Sequence, residues 1–132
     1  KIIGRRILEL AGRRNASGRK LIHPSLEVFL LRNARMVELK RTYLKKKVAV
    51  ADILAFPAPR AFPFPERRTR PLGEVYLNSE IARRDPGRAV VLLVHGVLHL
   101  LGYRHTKRRD MMRMERLEKR VLLRLRPSLS NF

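Results

Sequence analysis

The sequence predicts an α+β fold: a small mixed sheet of about four strands packed with four to five helices. Three observations carry this expectation. Short apolar runs suited to strands occur at 25–31, 50–56 and 73–77, mixed with and then followed by segments of helical spacing. One long apolar stretch, Ala89 to Leu101, is enclosed by a helix start at Asp85-Pro86 and a stop at Gly102. Finally, 132 residues with 45% hydrophobic content and no cysteine can build one domain, residues 1–132, around a core that needs no disulfide.

Taken in order, Ile2 to Arg14 places Ile3, Ile7, Leu10 and Ala11 at helical spacing with arginines opposite. Asn15 to Gly18 reads as a loop. Between Ser25 and Leu31, Leu26, Val28 and Leu30 alternate with Glu27, Phe29 and Leu31, a strand pattern. A second helix fits Ala34 to Lys46, with Val37, Leu39 and Tyr43 as its apolar positions. Val50 to Phe56 is a short strand broken at Pro57. Five of the eight prolines fall between Pro57 and Pro71, so that stretch is expected to be an irregular loop or flap. Gly73 to Leu77 reads as another strand. Thr106 can cap a last helix running to about Arg124, with Met111, Met114, Leu117, Val121 and Leu125 on its apolar side.

Charge bounds the partner. Lysine and arginine number 31 against 11 acidic residues, a formal net charge of +20. Self-repulsion at that density points to a polyanionic partner, and nucleic acid is the expected one. The 13-residue run Ala89 to Leu101 is too short to span a bilayer, which needs about 20 residues, so no membrane role is expected. No dinucleotide cofactor is expected either. The first residues lack the order of a secretory signal, and the expected compartment is the cytoplasm. The chain begins at Lys1 rather than Met, which leaves room for further N-terminal residues.

Three of the four histidines lie within His95-Gly-Val-Leu-His99-Leu-Leu-Gly-Tyr-Arg-His105. His95 and His99 are four apart, so both imidazoles project from one face of the predicted helix. Gly102 can turn the chain back, which lets His105 close a third position. Three neutral imidazoles leave the fourth tetrahedral position of a zinc ion open, the arrangement of a catalytic site. The plainer alternative is a hydrogen-bonded histidine pair in a core helix. Burying two imidazoles on an apolar helix without a shared partner is costly, and that favours the metal. In the peptidase pattern H-E-x-x-H a glutamate follows the first histidine, but here Gly96 does, which argues against a peptidase of that type.

The histidine block closely resembles the H-G-x-L-H-L-x-G-Y-D-H signature of the YbeY family. Asp52-Ile-Leu-Ala-Phe-Pro57 is similar to that family's T-D-V-L-S-F-P strand, and Leu72-Gly-Glu-Val-Tyr-Leu-Asn78 to its L-G-D-I-x-I-x strand. The resemblance runs in order from about Leu26 to Leu123. It implies a single-domain fold with a zincin-like metal helix in the core, and one Zn²⁺ per chain held by His95, His99 and His105. It further implies a single-strand-specific endoribonuclease, a hydrolase of RNA phosphodiester bonds. Such enzymes act in ribosomal RNA maturation and ribosome quality control, with ribosomal RNA and the small ribosomal subunit as partners.

The chain departs from this pattern at three places. An arginine that family members carry ahead of the T-D-V-L-S-F-P block is replaced by Leu44 or Lys45, depending on the direction of counting. Lysine neutralises a phosphate without the bidentate fork of arginine. The aspartate before the third histidine is Arg104, and the acidic start of the last helix is Lys107-Arg108-Arg109. Cations in a first helical turn oppose the helix dipole by about 0.3–1 kcal/mol each, a cost that bound phosphates would offset. Lys45, Arg104, Lys107 and Arg108 are therefore the candidate substrate-binding residues. Arg60, Arg67, Arg68 and Arg70 could close over RNA from the proline-rich loop. No catalytic acid or base is assigned, with Glu74 and Asp52 as candidates and a strand-bracing role open for Asp52. No aromatic stacking platform is expected; Tyr43, Tyr76 and Tyr103 are read as core-edge residues, and Met111, Met112 and Met114 as core filler. Two other functions compete: a basic RNA-binding ribosome-assembly factor that keeps the metal but cleaves weakly or not at all, and a zinc hydrolase of peptides or small molecules.

Overall fold

The computed structural model describes residues 2–11, 24–58, 70–104 and 106–129. Its elements are α1 (Ile2–Leu10), β1 (Pro24–Leu31), α2 (Asn33–Leu44), β2 (Ile53–Pro57), β3 (Arg70–Asn78), α3 (Ser79–Arg84), α4 (Pro86–Leu100) and α5 (Arg108–Leu129). The sheet order is β1-β3-β2, with β1 parallel and β2 antiparallel to the central β3. The mixed sheet and five helices fit the α+β expectation. The strand count does not: three strands, not four, are present among the described residues.

Alternation along the strands divides the molecule into two cores. Val75, with Leu26, Val28, Ile53 and Ala55, faces α4, behind which lie α1 and α5. Tyr76, with Leu31, Leu54 and Phe56, faces α2. α4 buries the side that meets the sheet and its neighbouring helices: Val94, Val97 and Leu98 are fully enclosed, each contributing roughly 1.5–3 kcal/mol of burial. Gly96 permits the close approach to the sheet. A Cβ there would stand 2.8 Å from the Ile53 Cδ1.

Several expected boundaries move for local reasons. α2 stops at Leu44 rather than Lys46 because Lys45 adopts a left-handed φ of 56°. β2 starts at Ile53 and includes Pro57, which an edge strand tolerates because no neighbour needs its missing N–H. β3 begins at Arg70, so Arg70 and Pro71 leave the proposed flap for the sheet. At Gly73, with φ +143°, a Cβ would lie 2.1 Å from the Phe56 carbonyl oxygen, so only glycine fits. α3 was not expected. It forms because the Asn78 side chain accepts from the Glu80 and Ile81 amides. The same side chain, 1% exposed, donates to Asn33 Oδ1 and to the Ala51 carbonyl, both at 3.0 Å. α5 starts at Arg108 rather than at a Thr106 cap, its first turn closed onto the Lys107 carbonyl, and continues to Leu129.

The core roles also differ in detail. Met36, not Tyr43, is the buried residue of α2, and Tyr43 is 66% exposed. Met114 is buried as expected, but Met111 and Met112 face solvent. Residues 12–14 of the first expected helix, the Asn15 to Gly18 loop, His23 and the loop arginines Arg60, Arg67 and Arg68 lie outside the described residues.

Candidate metal centre

The helix α4, which carries His95 and His99, is set by its ends. Asp85 Oδ1 accepts from the Arg88 amide at 3.1 Å, and Pro86 occupies the first turn. At the other end Gly102 adopts φ +95°, its amide donates to the His99 carbonyl and the Tyr103 amide donates to the Leu98 carbonyl, each at 3.0 Å. That pairing is a Schellman motif, and it seats Tyr103 against Leu98 in the core. The chain then folds back and α5 packs on α4.

Between Pro86 and Leu100 the side that the core does not seal carries Arg88, Val91, Leu92, His95 and His99. His95 and His99 are both half-buried, with their rings edge to face at 4.5 Å between centroids. Their Nε2 atoms are 2.9 Å apart. The other nitrogen of His95, Nδ1, is 2.7 Å from the Glu118 Oε1 on α5. A carboxylate can only accept, so Nδ1 carries the hydrogen and donates to Glu118, leaving the Nε2 lone pair directed at His99. Metal-binding histidines are held in this way, by a carboxylate on the ring nitrogen remote from the ion. The 2.9 Å contact is a hydrogen bond in which His99 Nε2 donates to His95 Nε2. Two imidazoles with a bracing carboxylate are donors of the kind zinc takes, but among the described residues no group of three or more His, Asp or Glu could hold a metal ion. His105, the third expected ligand, lies outside the described residues.

The sequence reading missed Glu118. A signal was available: Met114, Leu117, Val121 and Leu125 form the apolar face of α5, and Glu118 interrupts it four residues after Met114 and three before Val121. An acid within an apolar stripe needs a partner, and His95 is that partner.

The remaining candidates distribute unevenly. Glu74 lies beside Tyr76 on the strand, and its Oε2 accepts from the Tyr76 hydroxyl at 2.5 Å. Its side chain leaves the sheet on the face away from α4, so it is no general acid for the histidine pair. That hydrogen bond, then burial and the carboxylate charge, pushes the Tyr76 hydroxyl up to about 12. Asp52 braces the start of β2, accepting from the Ile53 amide at 2.8 Å, and its second oxygen meets Arg88 at 3.5 Å. Lys45 caps α2 on the opposite side of the sheet, so a phosphate on it would lie around the β2 edge from the histidines. Arg104, Lys107 and Arg108 are exposed on the connection between α4 and α5 and at the head of α5. A run of rings does exist: Phe29 stacks on Tyr76 at 5.1 Å, and Phe56 meets Tyr76 and Tyr43 edge-on. Of the three tyrosines, only Tyr103 is buried. Among the described residues no helix is long and apolar enough to cross a membrane.

Residues 3–126 match the family model described as Endoribonuclease YbeY. A protein named Endoribonuclease YbeY from Myxococcus xanthus is 38% identical over 108 residues, a match covering 74% of this chain and 35% of that protein. One of the same name from Parafrankia is 34% identical over 111 residues, covering 74% of this chain and 69% of the relative. The chain thus spans about a third of the first relative's length and about two thirds of the second's. A solution structure from Thermotoga maritima matches 99% of this chain and 86% of its own, with a TM-score of 0.51 at 20% identity, a likeness of fold.

Proposed function

The chain belongs to the Endoribonuclease YbeY family, and from that premise we propose that it is a zinc-dependent, single-strand-specific endoribonuclease of ribosomal RNA maturation and quality control in the cytoplasm. The observation that carries the metal is the pair of Nε2 atoms, 2.9 Å apart, one of them on a ring anchored by Glu118. His95 and His99 supply two ligands from one helix, and His105, three residues past Gly102, supplies the third. A zinc ion held by these residues would supply Lewis-acid chemistry for phosphodiester hydrolysis.

The chain's own residues do the rest. Glu118 accepts from His95 Nδ1 and so leaves His95 Nε2 facing His99. The Schellman turn at Gly102 ends α4 just ahead of Arg104. Arg104, Lys107 and Arg108 place positive charge beside the histidine block and hold the RNA backbone there, with Lys45 as a more distant contact. These contacts position RNA without reading its bases.

Membership of this family, whose relatives are named endoribonucleases, supports RNA as the substrate. Gly96 supports a nuclease over a peptidase of the H-E-x-x-H type, because its position faces Ile53 on the sheet rather than the cleft. The test is cleavage of a labelled single-stranded RNA by purified protein, with and without chelator. Cleavage is expected to stop with chelator, to return with zinc and to be lost in His99→Ala. Undiminished cleavage by His99→Ala refutes the reading.

A further inference from the structure

α5 has a second face that the metal centre does not use. Arg109, Arg113, Arg116, Arg120 and Arg124 recur at intervals of four, three, four and four residues, which places them in one stripe along the helix. All five are exposed. The stripe runs beside the apolar face formed by Met114, Val121 and Leu125, about a third of a turn round the helix from it, and away from the side on which Glu118 reaches His95. At 1.5 Å per residue it is roughly 22 Å long, with successive guanidinium groups about one helical turn apart.

Like charges one turn apart repel each other, and among the described residues no ion pair offsets them. Among the described residues, none of the five is ion-paired, although arginines elsewhere are: Arg6 with Glu9, Arg35 with Glu38 and Arg88 with Asp52. The guanidinium of Arg113 is instead laid over the Tyr103 ring, 5.1 Å from its centroid, and that ring is itself buried. The arginine stems enclose two shallow hollows. One, of about 570 Å³, is lined by Arg108, Arg109, Met112, Arg113 and Arg116. The next, of about 240 Å³, has Arg120 and Tyr103 on its walls.

We propose that this stripe is a docking track for the backbone of single-stranded RNA, a contact separate from the histidine cleft. Guanidinium forks match phosphodiester oxygens bidentately, and five in register follow several consecutive phosphates. Arg113, already held over an aromatic ring, loses little freedom on binding. Past Arg109 the stripe continues to Arg108, Lys107 and Arg104, exposed at the head of α5 and just before it, so RNA lying on it can extend toward the end of α4. A membrane surface fits less well, because the apolar face of α5 is already buried against α4 and cannot enter a bilayer. The inference rests on the reading of RNA as the substrate.

The test is titration of a labelled oligouridylate by fluorescence anisotropy over a series of salt concentrations, in a His99→Ala background so that cleavage does not intervene. Replacing Arg113, Arg116 and Arg120 by Gln is expected to weaken binding. It should also flatten the dependence of log affinity on log salt by about 2, near 0.7 for each lost phosphate contact. Removing the same charge elsewhere, with Arg5, Arg83 and Arg84 replaced by Gln, should change the slope by less than half as much. The corresponding triple Lys variant should keep the wild-type slope, which separates lost contacts from lost folding. An equal slope change in the two Gln variants overturns the proposal. So does stripe-dependent binding to phosphatidylserine vesicles without stripe-dependent binding to RNA. Stripe-dependent RNA binding by a protein whose wild type proves unable to cleave upholds the track and removes the nuclease reading, so the two fail separately.

Discussion

On the inner face of α5 one carboxylate, Glu118, is held 2.7 Å from a ring nitrogen of His95, while on the outer face five guanidiniums have no carboxylate partner among the described residues. The same helix obeys two rules. Where it is covered, a polar group survives only with a partner, because an unpaired one would cost about 1–3 kcal/mol. Where it is exposed, charge is cheap to place, and it can be left for a ligand to neutralise. The contrast teaches where to look for function on each side. Inside, it is in the partner that the buried group selects; outside, it is in the regular spacing of groups that select none.

The largest expected effect sharpens that contrast through stability. Met114→Ala on the inner face should lower unfolding stability by about 2–5 kcal/mol, since Met114 is fully enclosed. Arg116→Ala on the outer face should change it by about 0.5 kcal/mol or less. Equilibrium urea unfolding of the two variants checks the pair; similar losses would break the comparison.

A smaller effect isolates Glu118. Its replacement should weaken zinc binding about 10–100-fold, Glu118→Ala toward the upper end and Glu118→Gln toward the lower, since Gln can still accept from Nδ1 but carries no charge. Competition with a chromophoric chelator measures this. Unchanged affinity in Glu118→Ala would reduce the contact to ordinary packing.

Much of this was legible in the sequence. Asp85, Pro86 and Gly102 mark the limits of α4 because capping, a restricted φ and a positive φ are local demands that one residue can meet. The spacing of His95 and His99 likewise needs only helical periodicity. The failures were tertiary. Glu118 could not be assigned to His95 without knowing that α5 folds back on α4. Glu74 looked available for chemistry until the sheet turned it away from α4 and toward Tyr76. α3 was overlooked because its cap, Asn78, is also the last residue of a strand. Met111 and Met112 were read as core because a methionine cluster hides which one of the three faces inward.

Gly96 gives a third and smaller test. Gly96→Ala gains about 1 kcal/mol of helix propensity and loses a similar amount by displacing the Ile53 Cδ1, which is the flexible tip of a side chain. The net change in thermal unfolding should be near zero. Gly96→Glu, which restores the peptidase spacing, should be clearly destabilising, and stable folding with that side chain would contradict the packing of α4 on the sheet.

The smallest effect concerns the face of the sheet away from α4. The raised ionisation of Tyr76 means that the folded protein keeps a proton that the unfolded chain gives up near pH 10. The associated stability is fully present below about pH 10 and disappears as pH rises through about 12. In a difference titration of tyrosinate absorbance, the signal lost in Tyr76→Phe should ionise near pH 12. Ionisation of that signal near pH 10 would show that the hydroxyl does not rest on Glu74.

The central claim is that the imidazoles of α4 converge on one metal ion. Calorimetric titration of the chelator-stripped protein with zinc tests it most directly, because it needs neither RNA nor turnover. The account predicts about one zinc per chain for the wild type and loss of that binding in His99→Ala. Full-strength binding by His99→Ala, or none by the wild type, would contradict it.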